Sequence, residues 1–256
     1  MAAVDYEKLA RFYDGLVAYD DDVAFFVNRS KQASGRVIEL MAGTGRVSIP
    51  VASKGVQLTC VDNSPAMLAE LRRKLSMHDL SVEVVQQDAT RLDLQSRFAF
   101  AFIAFHSFEE LTEDAARDNL LRRVFTHLLP GGRFVCTLHD PEVRLRDVGP
   151  SREKQWRFED PNDGREVQLR LRTTFEKGCS LVRGRERLED LTSGEVLADL
   201  PLCFRLTSSE EFRPLAQRAG FSVEAVYGDY NYGRYTAGQS TSMVWVLARP
   251  EAVSNG

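Results

Sequence analysis

A short apolar run that opens at once into a glycine turn constrains the fold of this chain more than any other feature. The run 37–40 contains the acid Glu39, and Gly43 and Gly45 follow it directly, before a helical pattern. Glycine has no Cβ and adopts positive φ readily, so a backbone turn here can come into contact with a bound ligand. This order is typical of α/β proteins that hold a nucleotide-like molecule at the carboxyl edge of a parallel sheet.

The turn differs from the pattern that binds the pyrophosphate of a dinucleotide. That pattern has a third glycine at the start of the helix, where this chain has Ser48. The carboxylate of Glu39 would repel a phosphate, but it suits a cationic amino group or a ribose. We therefore expect a phosphate-free, zwitterionic nucleoside, and a nicotinamide-dinucleotide oxidoreductase is the less favoured alternative.

Two further strand patterns also end in an acid. Asp62 ends an alternating run 17 residues after Gly45, and Asp88 ends a third run and is followed by the small residue Ala89. Parallel strands bring their carboxyl ends to one edge of a sheet, where ligands bind in open α/β folds. Glu39, Asp62 and Asp88 are therefore predicted to meet at one rim.

These residues resemble the first three motifs of the class I S-adenosylmethionine-dependent methyltransferases. The resemblance implies that Asp62 grips the ribose and that Asp88 and Ala89 bond the adenine of S-adenosyl-L-methionine. Its other implied cofactor contacts are Glu39, Gly43, Gly45, Asn63, Met67, Phe105 and Tyr13, the last on an N-terminal helix that folds over the cofactor. Met41 stands where the family usually has a small residue, and it motivates a second alternative, a non-catalytic cofactor-binding scaffold.

Strand and helix patterns alternate over 36–136, which predicts a parallel sheet with right-handed crossovers. Helices are expected from Arg46, over 65–76 and over 113–129. Ser64 is the expected N-cap of the second helix, with Pro65 at its first position. The run 129–133, Leu-Pro-Gly-Gly-Arg, is expected to separate the third helix from the fifth strand.

After Asp140 the pattern becomes strictly alternating, with predicted antiparallel strands over 166–176, 180–190 and 196–206. The predicted fold is a Rossmann-like α/β domain: a mostly parallel seven-stranded sheet flanked by helices, with an inserted antiparallel β meander. The core would comprise 1–140 and 207–250, and the insertion 141–206 would shape the acceptor site or a dimer contact. This arrangement is similar to the sugar N,N-dimethyltransferases of antibiotic biosynthesis.

The candidate catalytic residue is His106, which follows the fourth strand. Methyl transfer from a sulfonium mainly requires that the acceptor be positioned and that any proton be removed. An ordinary histidine pKa near 6.5 suits a general base, although His106 can equally pack at the strand end or orient the substrate. Glu109 and Glu110 are the alternatives, and at least one of them is expected on a helix surface.

Composition limits the classes of molecule that the protein is expected to bind. The formal net charge of −4 gives no support for binding nucleic acid. No run approaches the roughly 18 apolar residues of a membrane span, and four scattered cysteines suggest reduced thiols in the cytoplasm. His78 and His127 are expected to be exposed, so no metal site is predicted. The expected partner is a small-molecule acceptor on nitrogen or oxygen, and a homodimer is left open. Arg183, Arg185 and Arg187 share one strand face, where solvation is favoured over an anionic substrate.

Overall fold

The computed structural model describes residues 5–146 and 148–251, except for the side chains of 149–152. These residues contain eleven strands and seven α-helices. The strands are β1 (Val37–Leu40), β2 (Leu58–Asp62), β3 (Glu83–Gln86), β4 (Phe98–Ile103), β5 (Leu128–His139), β6 (Gly149–Glu159), β7 (Glu166–Glu176), β8 (Leu181–Asp190), β9 (Val196–Arg205), β10 (Ser222–Tyr227) and β11 (Ser242–Ala248). The helices are α1 (Tyr6–Leu16), α2 (Val23–Gln32), α3 (Ser48–Ala52), α4 (Pro65–Met77), α5 (Asp114–His127), α6 (Pro141–Leu145) and α7 (Ser209–Arg218).

Seven of the strands form one sheet in the order β10-β11-β5-β4-β1-β2-β3. Strands β1 to β5 pair in parallel, whereas β11 pairs antiparallel with both β5 and β10. All four residues of β1 are buried, because helices cover both faces of the sheet and leave the strand no solvent side. This architecture confirms the predicted mostly parallel, seven-stranded fold.

The start of one helix and the place of one turn differ from the sequence-based expectation. Helix α3 begins at Ser48 rather than Arg46 and has only five residues, because the positive φ of Gly45 extends the turn. The Pro-Gly-Gly run lies within the span of β5 instead of ahead of it. There Gly131 has φ +75°, and the pairing with β4 shifts register between Phe98 and Phe100. The run is therefore an irregularity inside the strand.

The inserted sheet is antiparallel, as predicted, but has four strands instead of three, in the order β6-β7-β8-β9. The unpredicted strand β6 pairs antiparallel with β7, continuously from Glu153 to Glu159, and the register shifts between Gly149 and Glu153. Five of its eleven residues are charged, and it lacks the apolar alternation that identified the other strands. The turn after β8 is as expected: Asp190 Oδ1 accepts the backbone N–H groups of Thr192 and Ser193.

Helix α1 joins the inserted sheet to the parallel sheet. Its residues Leu9 and Phe12 pack against Val167, Leu188 and Leu200 of the inserted sheet in one apolar cluster. Toward the parallel sheet, Thr44 Oγ1 and Lys74 Nζ donate to the two carboxylate oxygens of Asp14, at 2.6 and 2.7 Å. The helix is therefore fixed from both sides. Within the described residues, none of the helices is both long enough and apolar enough to cross a bilayer.

Candidate active site

A cavity of about 660 Å³ lies where β1, β2, β3 and β4 end. Its volume falls in the range of small-molecule sites, roughly 300–1,000 Å³. The residues that line it come from the strand ends, from α1, from the segment between β4 and α5, and from β9 of the inserted sheet. They are Asp5, Tyr6, Glu7, Tyr13, Met41, Gly43, Asp62, Asn63, Ser64, Met67, Gln87, Asp88, Ala89, Thr90, Ser107, Glu110, Leu111, Thr112, Glu113, Ala116 and Pro201.

Asp62, at the end of β2, is held by backbone groups. The N–H of Gly43 donates to its Oδ2 at 2.8 Å, and the N–H of Ser64 donates to its Oδ1 at 2.9 Å. Burial raises the pKa of this carboxyl, while the backbone N–H groups oppose that rise. A carboxylate has about four acceptor positions, so Asp62 can also accept hydrogen bonds from ligand hydroxyls in the cavity that it lines.

The two glycines of the turn have different surroundings. Gly43 lines the cavity at φ +57°, and a Cβ built there meets no atom within 4 Å. Gly45, at φ +86°, does not line the cavity, and a Cβ there would lie 2.3 Å from Leu71 Cδ1. Gly43 therefore leaves space for a ligand, whereas Gly45 allows the turn to pack against α4. Met41 also lines the cavity, with a left-handed φ of +57°.

The start of α4 and the end of β3 supply the next part of the wall. Ser64 is the predicted N-cap: its Oγ accepts the N–H of Met67 at 3.2 Å, with Pro65 at the first helical position. Asp88 caps a 3-10 turn, Ala89–Arg91, by accepting the N–H of Thr90 at 2.8 Å. The structure thus brings Asn63, Met67, Asp88 and Ala89 to the same cavity as Asp62.

Glu39 lies outside the residues that line this cavity, in the part of the chain that the structure describes. Its side chain is buried, and its Oε2 accepts the hydroxyl of Ser48 at 2.5 Å. Burial raises its pKa to about 8. Two of the three acids therefore share the predicted rim, and a direct cofactor contact by Glu39 stays a prediction.

Phe105 and His106 also lie off the described cavity wall, and both have left-handed φ. The guanidinium of Arg46 lies 5.0 Å from the centre of the Phe105 ring. His106 stacks on His139 with ring centres 3.7 Å apart, and its Nε2 is 3.1 Å from Ser242 Oγ. Burial lowers the pKa of His106 well below its ordinary value, so the ring is neutral at pH 7. A role as the base stays a prediction.

The two glutamates after His106 both lie on the 3-10 turn Ser107–Glu110, and they point in different directions. Glu109 is 2% exposed, and it accepts the backbone N–H of His139 at 2.9 Å and lies 2.7 Å from its Nδ1. Burial raises the pKa of Glu109 to about 7. Glu110 lines the cavity, and its Oε1 accepts the hydroxyl of Tyr6 at 2.5 Å.

Charge is the clearest property of the cavity. Among the described lining residues there is no lysine, arginine or histidine. Six of them are acids: Asp5, Glu7, Asp62, Asp88, Glu110 and Glu113. Such a wall repels phosphate and attracts cations. The residues present therefore fit S-adenosylmethionine, which carries a sulfonium, a ribose and an adenine.

Some wall residues were absent from the sequence-based set. Tyr6 stands three residues before Leu9 and seven before Tyr13, so helical spacing could have found it. Pro201 comes from β9, far along the chain, and no local pattern indicates it. His127 was expected to be exposed but is buried, with its Nε2 accepting the N–H of Leu94 at 3.0 Å.

The three arginines of β8 are solvent-facing, as expected. Arg183, Arg185 and Arg187 pair with Glu176, Asp199 and Glu189 at 3.0, 2.9 and 2.7 Å. Within the described ranges, no group of three or more histidine, cysteine, aspartate or glutamate residues is arranged to hold a metal ion.

Comparisons with known proteins agree with this geometry. Residues 37–132 match the family model described as a methyltransferase domain. A cypemycin N-terminal methyltransferase of a Streptomyces species is 29% identical over 242 residues, which cover 92% of this chain and 89% of that protein.

Solved structures match over both sheets. The CcbJ methyltransferase from Streptomyces caelestis superposes with a TM-score of 0.82 at 24% identity, covering 96% of this chain and 98% of that one. CalS10, an amino pentose methyltransferase from Micromonospora echinaspora solved with S-adenosylmethionine bound, gives a TM-score of 0.69 at 20% identity, covering 93% and 94%. The fold match therefore includes the antiparallel insertion.

Proposed function

We propose that this chain, which is a class I S-adenosylmethionine-dependent methyltransferase, methylates an amine nitrogen of a small molecule. The observation that carries the proposal is the cavity, whose described wall has six acids and no cationic side chain. An amine is protonated in water and is attracted to such a wall, whereas a neutral alcohol gains little from it.

The end of the cavity near β1, β2 and β3 would hold the cofactor, which supplies a methyl group on a sulfonium. We assign the ribose hydroxyls to Asp62, the adenine to Asp88, Ala89 and Met67, and the close backbone approach to Gly43. Asp62 is preorganised for this role, because two backbone N–H groups already fix its orientation.

The other end would receive the acceptor. Tyr6 and Tyr13 of α1, Ser107 and Glu110 after β4, and Pro201 of β9 line it. Helix α1, which carries both tyrosines, is fastened to the start of α4 and to the turn after β1, since Ser64 Oγ donates to Glu7 at 2.7 Å and Thr44 donates to Asp14. A fixed helix here would exclude water from the acceptor.

Two similar proteins support nitrogen over oxygen as the methylated atom. One is an N-terminal methyltransferase and the other acts on an amino pentose.

The buried thiols of Cys60 and Cys136, which form no disulfide, suit a reducing compartment, so we place the protein in the cytoplasm. We keep the homodimer as a prediction.

The test compares amines and alcohols of the same carbon skeleton. Each is incubated with the protein and S-adenosylmethionine, and S-adenosylhomocysteine and the methylated product are measured by mass spectrometry. We expect turnover with amines and none with the matched alcohols. Turnover with alcohols alone would contradict the proposal. Cofactor binding without turnover on either series would favour the non-catalytic scaffold.

A further inference from the structure

We infer that Glu110 accepts the proton of a cationic acceptor, and that the hydroxyl of Tyr6 holds the Glu110 carboxylate in place for this step. The inference rests on the proposed function and adds two things to it, a catalytic residue and a charge class of substrate. The acceptor would arrive as an ammonium ion that carries no phosphate and no carboxylate.

The position of Glu110 is the first argument. It is the last residue of a 3-10 turn, Ser107–Glu110, which follows β4 after three connecting residues, and both Ser107 and Leu111 line the cavity with it. The hydroxyl of Tyr6 donates to Oε1 of Glu110 at 2.5 Å. Within the described part of the chain, Oε2 of Glu110 has no hydrogen-bond partner. One carboxylate oxygen is thus fixed and the other is left to meet a ligand.

The anchoring of the turn is the second argument. The preceding residue, Glu109, points away from the cavity and is fastened to the end of β5 by its two contacts with His139. These contacts of Glu109 oppose a rotation of the turn that would carry Glu110 out of the cavity. Two adjacent acids therefore have separate tasks, one holding the backbone and one facing the ligand.

Burial and nearby charge raise the pKa of Glu110. Burial has the largest effect, and Asp62 on the cavity wall and Glu186 of β8 add to it, so that the pKa is about 7. The hydrogen bond from Tyr6 acts in the opposite direction. A carboxyl with a pKa near neutrality can both take up and release a proton under working conditions.

The proton transfer balances without any further reactant. An N–H bond of the ammonium breaks, its electron pair stays on nitrogen, and the proton moves to Oε2 of Glu110. The nitrogen then has the lone pair that an acceptor needs. The neutral carboxyl later returns the proton to water, which restores the ionised form. The same wall disfavours an acceptor that carries phosphate or carboxylate, because six acids surround it.

The pH dependence of kcat/KM for a methylated amine tests the inference. We expect the wild-type rate to rise with pH through about 7, the pKa of Glu110. In Glu110→Gln we expect roughly a 100-fold or larger loss at pH 7, and a rising limb shifted toward the pKa of the free alkyl amine, about 10. Glutamine still accepts the hydrogen bond from Tyr6, so the fold is retained.

The matched control is Glu195→Gln, which lies in the exposed turn between β8 and β9, outside the described cavity wall. It should reproduce the wild-type profile. An unshifted limb in Glu110→Gln would overturn the inference even if the rate fell, since a purely structural role lowers the rate without moving the limb.

A measurement without turnover uses the protein saturated with S-adenosylhomocysteine. The ¹³C carboxyl signal of Glu110, assigned by its loss in Glu110→Gln, should titrate near pH 7. Addition of n-butylammonium should move that midpoint to lower pH, and butyrate should leave it unchanged. A midpoint near the ordinary glutamate value of about 4.3 that n-butylammonium does not move would overturn the inference.

Different results would contradict the methylation of amines and the role of Glu110. If no amine is methylated, the proposed function is wrong, and the titration still decides whether Glu110 binds a cation. If amines are methylated and S-adenosylhomocysteine binds equally to wild type and Glu110→Gln by calorimetry, but the limb does not move, only the role of Glu110 is wrong.

Discussion

The two ends of the cavity are held by different kinds of group. At the end formed by β1, β2 and β3, backbone N–H groups from nearby turns fix Asp62. At the other end, side chains from distant segments fix each other: Tyr6 bonds Glu110, 104 residues away, and Glu109 bonds His139. The first end depends on the path of the backbone, and the second on a few side chains. Substitutions can therefore change the proposed acceptor end while the proposed cofactor end keeps its shape.

The largest effect is expected from Asp62→Ala, which removes the carboxylate that we assign to the ribose hydroxyls. Two charge-assisted hydrogen bonds to ribose hydroxyls contribute about 1.5–3 kcal/mol each, so the affinity for S-adenosylhomocysteine should fall about 100-fold or more. Isothermal titration calorimetry measures it. Asp93→Ala, at an exposed position outside the described wall, should bind like wild type. Equal affinity for Asp62→Ala and wild type would contradict the assignment.

The next effect separates the two glycines. Gly45→Ala combines a left-handed φ with a Cβ 2.3 Å from Leu71 Cδ1, which should lower the free energy of unfolding by about 2–5 kcal/mol. Gly43→Ala has free space and suffers only the backbone strain, about 1–3 kcal/mol, but its methyl group should weaken cofactor binding. Urea unfolding and calorimetry distinguish the two. The opposite order of stability loss would show that the packing contact is unimportant.

The sequence was informative where function depends on local chain geometry. An apolar run, a turn and an acid lie within a few residues at the ends of β1, β2 and β3, so the seven-stranded core and the positions of Asp62 and Asp88 could be predicted. The other end was predicted only in part. Glu110 was one of the alternative catalytic residues, but nothing in the sequence separated it from Glu109, which is buried whereas Glu110 lines the cavity. Tyr6 and Pro201 join Glu110 only through tertiary packing.

The buried carboxyl of Glu39 should make the stability of the protein depend on pH. Its pKa of about 8 lies above the unfolded value, so between about pH 4.5 and 8 the folded protein binds more protons than the unfolded chain. Wild-type stability should therefore fall as pH rises through that interval, by up to about 1.4 kcal/mol per pH unit. Glu39→Gln keeps the contact with Ser48 and removes this dependence.

The measurement is the difference in free energy of unfolding between Glu39→Gln and wild type at pH 5, 6, 7 and 8. We expect the variant to gain relative stability with each step. Other buried groups are common to both proteins and cancel. Parallel curves would show that Glu39 titrates at its ordinary pKa, and would reopen a role for an ionised Glu39 beside the cofactor.

The smallest effect is expected on the outer face of the inserted sheet. Arg185 is 62% exposed and pairs with Asp199, and exposed ion pairs contribute about 0.2–1 kcal/mol. Arg185→Ala should change the melting temperature slightly and leave kcat/KM for the amine unaltered. A large loss of activity would mean that this face contacts an anionic part of the substrate, which the account excludes.

The most direct test of the cavity assignment is a crystal structure of the protein with S-adenosylhomocysteine bound. We predict that the ribose hydroxyls lie within hydrogen-bond distance of Asp62, that the adenine lies beside Met67 and Ala89, and that the sulfur faces the space lined by Tyr6 and Glu110. A ligand bound elsewhere, or a sulfur turned away from Glu110, would contradict the account.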